Sequence, residues 1–153
     1  MTRNQLIMIA AGGSLALLLG AWGFQALGYA PCKMCIWQRW PHGAAVVIGA
    51  VALVLPWVIL PLLGALAAAI TGGIGVYHSG VERGWWEGPT TCTSSDIGGL
   101  SSEQLMEQIL TAPLVRCDEI AWQMLGVTMP NLNALLSFAL VLVWLAAAKA
   151  TRA

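Results

Sequence analysis

Charge is scarce in this chain. Only 9% of its 153 residues are Asp, Glu, Lys or Arg, against about 25% in a soluble domain, and that shortage excludes an ordinary water-soluble fold. No acidic residue precedes Glu82 or follows Glu119, and no charge of either sign lies between Arg39 and Glu82. The seven acidic and seven basic residues cancel, which argues against nucleic acid or an anionic surface as partner. Ile36, not His, follows Cys35, so a c-type haem attachment site is excluded. What the chain has instead is apolar surface. Hydrophobic residues make up 58% and the mean hydropathy is +0.75, the composition of an integral membrane protein.

The apolar residues fall into runs. A charge-free stretch over 6–27 covers about 33 Å as helix, enough to span a bilayer core. It is too long for a cleaved signal peptide and lacks an A-x-A site, so it reads as a retained first span. Gly12, Gly13, Gly20 and Gly23 are expected to let neighbouring helices approach closely. Two further spans, about 36–55 and 57–80, divide near Pro56, Trp57 and Pro61. Starting the second at Ile36 gives it about 20 residues, and this places Cys35 at the membrane edge with Arg39 just inside. Pro41 then sits early in the helix, where proline is tolerated. Gly72, Gly73 and Gly75 give the third span a smooth face for a helix or a flat ligand. His78 and Glu82 share a helix face at i, i+4. They are expected to hydrogen-bond to each other rather than hold a metal, which would need a third ligand nearby.

Residues 83–130 hold nearly all the acidic side chains and form the one large extramembrane segment. Trp85 and Trp86 read as interfacial. Residues 101–110 predict an amphipathic helix with Ser101 as N-cap and Gln104 in the capping-box position. A second short helix over about 118–125 is expected to lay Ile120, Trp122 and Met124 on the membrane surface. A fourth span, 132–148, is closed by Lys149 and Arg152. The fold class is therefore all-α: a single membrane domain over 1–153, built as a four-transmembrane-helix bundle. Short amphipathic helices occupy its second extracytoplasmic loop. Four spans put both termini on one side. Arg3, Lys149 and Arg152 make that side cytoplasmic, and both cysteine-bearing loops, about 28–35 and 83–130, face the opposite compartment.

Four cysteines carry the chemistry. Cys32 and Cys35 form a C-x-x-C that can close a small disulfide ring or supply half a zinc site. A thiol near a helix N-terminus and one turn from the Arg39 guanidinium has its thiolate favoured. Cys35 leads into an apolar span rather than a knuckle loop, and the predicted topology exposes it to an oxidising compartment; both favour redox over zinc. Cys92 and Cys117 lie too far apart in sequence for a knuckle. Two disulfide-capable pairs on one face of a membrane suggest a relay, in which the loop pair meets a soluble thiol protein and the edge pair a lipid-soluble acceptor.

Over nearly its whole length the sequence resembles the DsbB family of bacterial inner-membrane disulfide-bond formation proteins. The resemblance rests on the run from Pro31 through Cys32, Cys35, Ile36, Trp37 and Gln38 to Arg39. It rests also on the run from Cys117 through Trp122 and Gly126 to Pro130, on Cys92, and on the four-span layout. It implies quinone-linked oxidation of a DsbA-like periplasmic protein of thioredoxin fold, the established route that keeps the bacterial periplasm oxidising. It implies that Cys92 receives the partner's thiolate, that Cys117 is its disulfide mate and exchanges with Cys32, and that Cys35 meets a ubiquinone or menaquinone beside Arg39. Some members of the family carry His near the position of Glu82, whereas here His78 lies one turn earlier. His78 and Glu82 are thus the further candidates on the quinone side, and no metal is expected. Two alternatives are a vitamin K epoxide reductase-like relay and a non-enzymatic protein stapled by disulfides. The first places its C-x-x-C late in the chain, and the second has no need of Arg39 beside Cys35.

Overall fold

The computed structural model describes residues 1–89, 92, 101–111 and 115–150. Four long helices form a bundle: α1 (Arg3–Ala26), α2 (Lys33–Val54), α3 (Ile59–Glu82) and, last in the chain, α5 (Met129–Lys149). Between α3 and α5 lie a short helix, α4 (Ser102–Thr111), and two short strands, β1 (Gln123–Met124) and β2 (Val127–Thr128). Both α2 and α3 pack on two neighbours: α2 on α1 and α3, α3 on α2 and α5; α1 closes the ring against α5. Helices α1, α3 and α5 are long and apolar enough to cross a membrane, and the chain is a multi-pass membrane protein.

Each helix turns a narrow stripe inward. On α1 the buried residues are Arg3, Ile7, Ala10, Ser14 and Leu18, recurring every three or four positions as a 3.6-residue period requires. Its other faces carry large exposed apolar side chains such as Ile9, Leu19 and Trp22, the surface a lipid environment asks for. On α2 the inward stripe is partly polar, with Gln38 and His42 among Met34, Ala45, Gly49 and Ala52. That polarity, with Lys33 and Arg39, is why α2 reads as less apolar than the other three.

Small residues set the helix spacing. A Cβ on Gly64 would stand 2.6 Å from the Trp144 ring, and one on Gly75 would stand 3.0 Å from the Pro130 carbonyl. The smooth face of α3 thus receives α5 rather than a flat ligand. The glycines of α1 behave differently from expectation: Gly13 meets Leu140, but Gly12, Gly20 and Gly23 face open space. Arg3 is no free terminal charge. It is buried and donates to the carbonyls of Ala52 at 3.1 Å and Trp57 at 3.3 Å, so a cation neutralises the C-terminal end of α2. Pro41 lies well inside α2, and Thr71 on α3 donates to the Gln38 carbonyl of the preceding turn at 2.9 Å. Side-chain hydroxyls of this kind keep proline-bearing helices satisfied in an apolar surrounding.

The extramembrane segment departs from expectation in one place. Helix α4 forms where the sequence predicts it, one residue after Ser101; the contact expected of Gln104 falls on a side chain outside those described, as does Arg152. The helix expected over 118–125 is absent. Gln123 pairs with Thr128 and Met124 with Val127 in an antiparallel hairpin, turning through Leu125 and Gly126, both at positive φ, 52° and 79°. A two-residue loop with positive φ at both positions matches the right-handed twist of its strands. Gly126 and the β-branched Val127 and Thr128 override the helical periodicity. Trp122 packs on Phe24 near the end of α1, centroid to centroid 5.4 Å. Trp86 folds back on α3, stacking on Tyr77 and donating to the Tyr77 carbonyl at 2.7 Å, while Trp85 remains exposed under Arg83.

Candidate redox site

Both cysteine pairs converge at one end of the bundle. Cys32 is the N-cap of α2, its sulfur accepting from the Cys35 amide at 3.2 Å, and Cys35 is the third residue of the helix. The two sulfurs stand 2.9 Å apart and are not bonded. Cys92 and Cys117 are joined as a disulfide, with Cα atoms 5.5 Å apart. Cys32, Cys92 and Cys117 are buried together with Met34 and Val81, and Cys35 and Val115 pack against them. A disulfide and a dithiol therefore share one dry cluster, the arrangement thiol–disulfide exchange needs.

The protons of this cluster can be placed. Burial and, above it, the hydrogen bond with Cys35 push the Cys32 thiol well above the ordinary range. Cys32 keeps its proton and shares it with the Cys35 sulfur, which leaves thiolate character at Cys35. His78 Nε2 lies 3.5 Å from the Cys32 sulfur, and the Cys117 backbone interacts with the same ring. Behind it, Gln38 Nε2 donates to the Met34 carbonyl at 3.1 Å and reaches His78 Nδ1 at 3.1 Å.

His78 does not pair with Glu82. Its ring belongs to the cysteines and Gln38, while Glu82 interacts with the Thr128 side chain. The expectation that His78 has no further ligand nearby is also corrected. The ligand atoms of Cys32, Cys35 and His78 lie within 4.8 Å of one another, because the bundle brings α3 to the N-terminus of α2. Sequence spacing could not show this.

On the other side of α2 lies a cavity of about 230 Å³ between α1, α2 and α5. Its walls are mostly apolar, from Leu17, Phe24, Pro31 and Leu136 among others, and its polar contributions include Cys35, Arg39, His42 and Asn133. Cys35 and Arg39 both line the cavity; His78 and Glu82 are not among its lining residues. Arg39 donates to Gln25 Oε1 at 2.8 Å and to the Ala21 carbonyl at 3.3 Å, so most of its guanidinium is engaged by α1. Its Nε is buried without a partner among the described residues, as is Nδ1 of His42. Sequence reasoning missed His42, Gln38 and Asn133. The signal was there in three polar residues inside otherwise apolar helices, where a polar side chain is a functional candidate by default.

Comparison with known proteins agrees with this geometry. The family model for the disulfide bond formation protein DsbB matches residues 3–147. An uncharacterized protein, RP370, of Rickettsia prowazekii (strain Madrid E) is 31% identical over 122 residues, covering 74% of this chain and 69% of that protein. No solved structure matches.

Proposed function

Because the chain belongs to the DsbB family of membrane disulfide-bond formation oxidoreductases, we propose that it oxidises a soluble, DsbA-like periplasmic protein of thioredoxin fold and passes the electrons to a membrane quinone. One observation carries the reading: the bonded pair Cys92–Cys117 and the free pair Cys32 and Cys35 share a buried cluster, and Cys35 also lines an apolar cavity.

The electrons balance through two exchanges. A thiolate of the partner attacks the Cys92–Cys117 disulfide at Cys92, and Cys117 leaves as thiolate. The partner's second thiol then resolves the mixed disulfide, so the partner leaves oxidised and Cys92 and Cys117 are left as a dithiol. Cys117 next attacks an oxidised Cys32–Cys35 pair at Cys32. Cys35 leaves, Cys92 resolves the Cys117–Cys32 bond, and Cys32 and Cys35 end as the dithiol. A quinone supplies an acceptor for the two electrons and two protons that this dithiol gives up. The lining fits such a group: mostly apolar walls, Cys35, and buried polar atoms on Arg39 and His42 without partners among the described residues.

Helix α2, at 22 residues and about 33 Å long, is proposed as the fourth span. Gln38 and His42 turn inward, which spares the lipid their polarity. The termini are cytoplasmic and the cysteine loops periplasmic in the bacterial inner membrane. Reporter fusions after Ala153 and within 94–100 should register opposite sides.

The defining experiment places the purified chain in lipid vesicles under argon with a reduced thioredoxin-fold protein. Partner oxidation should require added quinone and stop when the quinone is exhausted; oxidation independent of quinone overturns the acceptor assignment. A second reading has one observation behind it. The Cys32, Cys35 and His78 donors could bind a soft cation, though structural zinc takes four ligands. Metal analysis of the purified, reduced chain separates the two.

A further inference from the structure

The buried amides of Asn133 and Gln38 fix the direction of the hydrogen bonds that run from His42 to His78. Asn133 Nδ2 lies 3.2 Å from the Thr71 carbonyl, an acceptor, so that end of the amide is the nitrogen. It also donates to Gln38 Oε1 at 2.7 Å. Asn133 Oδ1 therefore faces His42 Nε2 at 2.8 Å, and Nε2 must carry the ring's proton. A neutral His42 then presents a bare lone pair at Nδ1. That atom is buried and has no partner among the described residues, in a residue only 3% exposed that lines the cavity. Arg39 stands one turn earlier on α2 and lines the same cavity. Its unpartnered Nε is by chemistry a donor.

Two residues that line the cavity thus carry one orphan donor and one orphan acceptor. A quinone has only acceptor oxygens and can satisfy Arg39 alone. A hydroquinone carries O–H groups and can satisfy both. We propose that His42 is a ligand-binding residue of the cavity, accepting the hydroxyl of the reduced carrier through Nδ1 and so favouring hydroquinone over quinone. This rests on the quinone reading above and deepens it. A group that binds the reduced form more tightly makes the bound carrier a stronger oxidant of the Cys32 and Cys35 dithiol. A tenfold preference corresponds to about 30 mV for a two-electron couple.

The test measures binding rather than turnover. The oxidised full-length chain in detergent, under argon, is titrated calorimetrically with a short-chain benzoquinone, its hydroquinone and the hydroquinone's di-O-methyl ether. His42→Leu should weaken the hydroquinone about tenfold, the usual scale for a buried hydroxyl left without its partner, and leave the quinone within about twofold. His42→Gln, which keeps an acceptor, should recover part of the hydroquinone affinity. In the unaltered chain the di-O-methyl ether, which has no O–H to donate, should bind more weakly than the hydroquinone, an arm independent of how the variants fold. Equal losses for quinone and hydroquinone in His42→Leu, or an ether that binds as well as the hydroquinone, overturns the assignment of His42 while leaving the quinone reading intact. Failure of the unaltered chain to bind either carrier overturns both.

Discussion

The imidazole of His78 donates toward the sulfur of Cys32; it does not accept from it. Gln38 Nε2 faces the Met34 carbonyl, so the amide cannot be turned over, and its second N–H meets His78 Nδ1 at 3.1 Å. Nδ1 is thereby the acceptor, Nε2 carries the proton, and Nε2 is the atom 3.5 Å from the Cys32 sulfur. In this tautomer His78 cannot remove a proton from Cys32. It can steady the negative charge that appears there when Cys92 resolves the Cys117–Cys32 bond and Cys32 leaves as thiolate, and the Cys117 backbone beside the same ring puts that exchange within its reach.

His78→Leu is therefore expected to slow electron transfer between the two cysteine pairs about tenfold, the scale of one lost hydrogen bond to a developing charge. Formation of the mixed disulfide at Cys92 should be unaffected. Rapid acid quenching followed by thiol labelling resolves the two steps. His78→Gln, which retains an N–H donor, should restore part of the rate. A variant that slows both steps alike would show His78 to be packing only.

Cys32 should be a reluctant nucleophile. Its hydrogen bond to Cys35 and its burial raise its pKa, so its thiolate appears only at a pH above the usual thiol range. In the reduced protein, alkylation of Cys32 should stay slow through pH 9. Cys35→Ala removes the larger cause and the neighbouring sulfur's charge. Cys32 then moves back toward the ordinary value near 8.5, and its alkylation at pH 8 should accelerate. No change in Cys32 reactivity on losing Cys35 would count against the shared proton.

The proposed partner-facing step can be tested at the loop disulfide. With Cys92 bonded to Cys117, Cys117→Ala leaves Cys92 without the mate with which it would re-form a disulfide. Incubated with oxidised partner, or allowed to pair during synthesis, this variant should accumulate a covalent adduct through Cys92 visible on non-reducing gels. Adducts from Cys92→Ala and none from Cys117→Ala would exchange the two roles.

How much of this was legible beforehand differs from element to element. The long helices were, because a 3.6-residue stripe and an apolar outer face are properties of each segment alone; α1 and α3 begin or end within three residues of their expected limits. The hairpin at Leu125 and Gly126 was not. Its signal is a two-residue turn preference competing with a weak helical pattern, and packing of Trp122 on Phe24 decides it. Cys35 and Arg39 were legible as neighbours because they share a helix face at i, i+4. The place of His78 was not, since its approach to Cys32 spans 46 positions and depends on how α3 crosses α2. His42, Gln38 and Asn133 could be suspected from polarity, but only their mutual geometry gives the donor and acceptor pattern.

Arg39 supports the site in two ways, and the structure allows them to be separated. Two of its nitrogens tie α2 to α1 through Gln25 Oε1 and the Ala21 carbonyl, and Nε remains over for the cavity. An Arg39→Ala change removes both contributions: α1 loosens against α2, and the donor for an acceptor oxygen disappears. Quinone-dependent turnover should fall about tenfold or more, the range for a hydrogen bond involving a charged group, mostly as a raised KM for quinone, while KM for the thiol partner stays put. Gln25→Ala removes only the tie at 2.8 Å. It should lower thermal stability slightly and leave the quinone KM within about twofold, because the Ala21 carbonyl still holds the guanidinium and an exposed bond of this type contributes little. Arg39→Lys keeps the charge, but a flexible ammonium has no equivalent of Nε and cannot hold both α1 acceptors in a planar fork. Its quinone KM should therefore fall between the unaltered and alanine values. Steady-state kinetics with quinone and partner varied separately, alongside thermal denaturation of the three variants, makes the distinction. If Gln25→Ala reproduces the whole effect of Arg39→Ala on the quinone KM, Arg39 acts only by fastening α1 to α2.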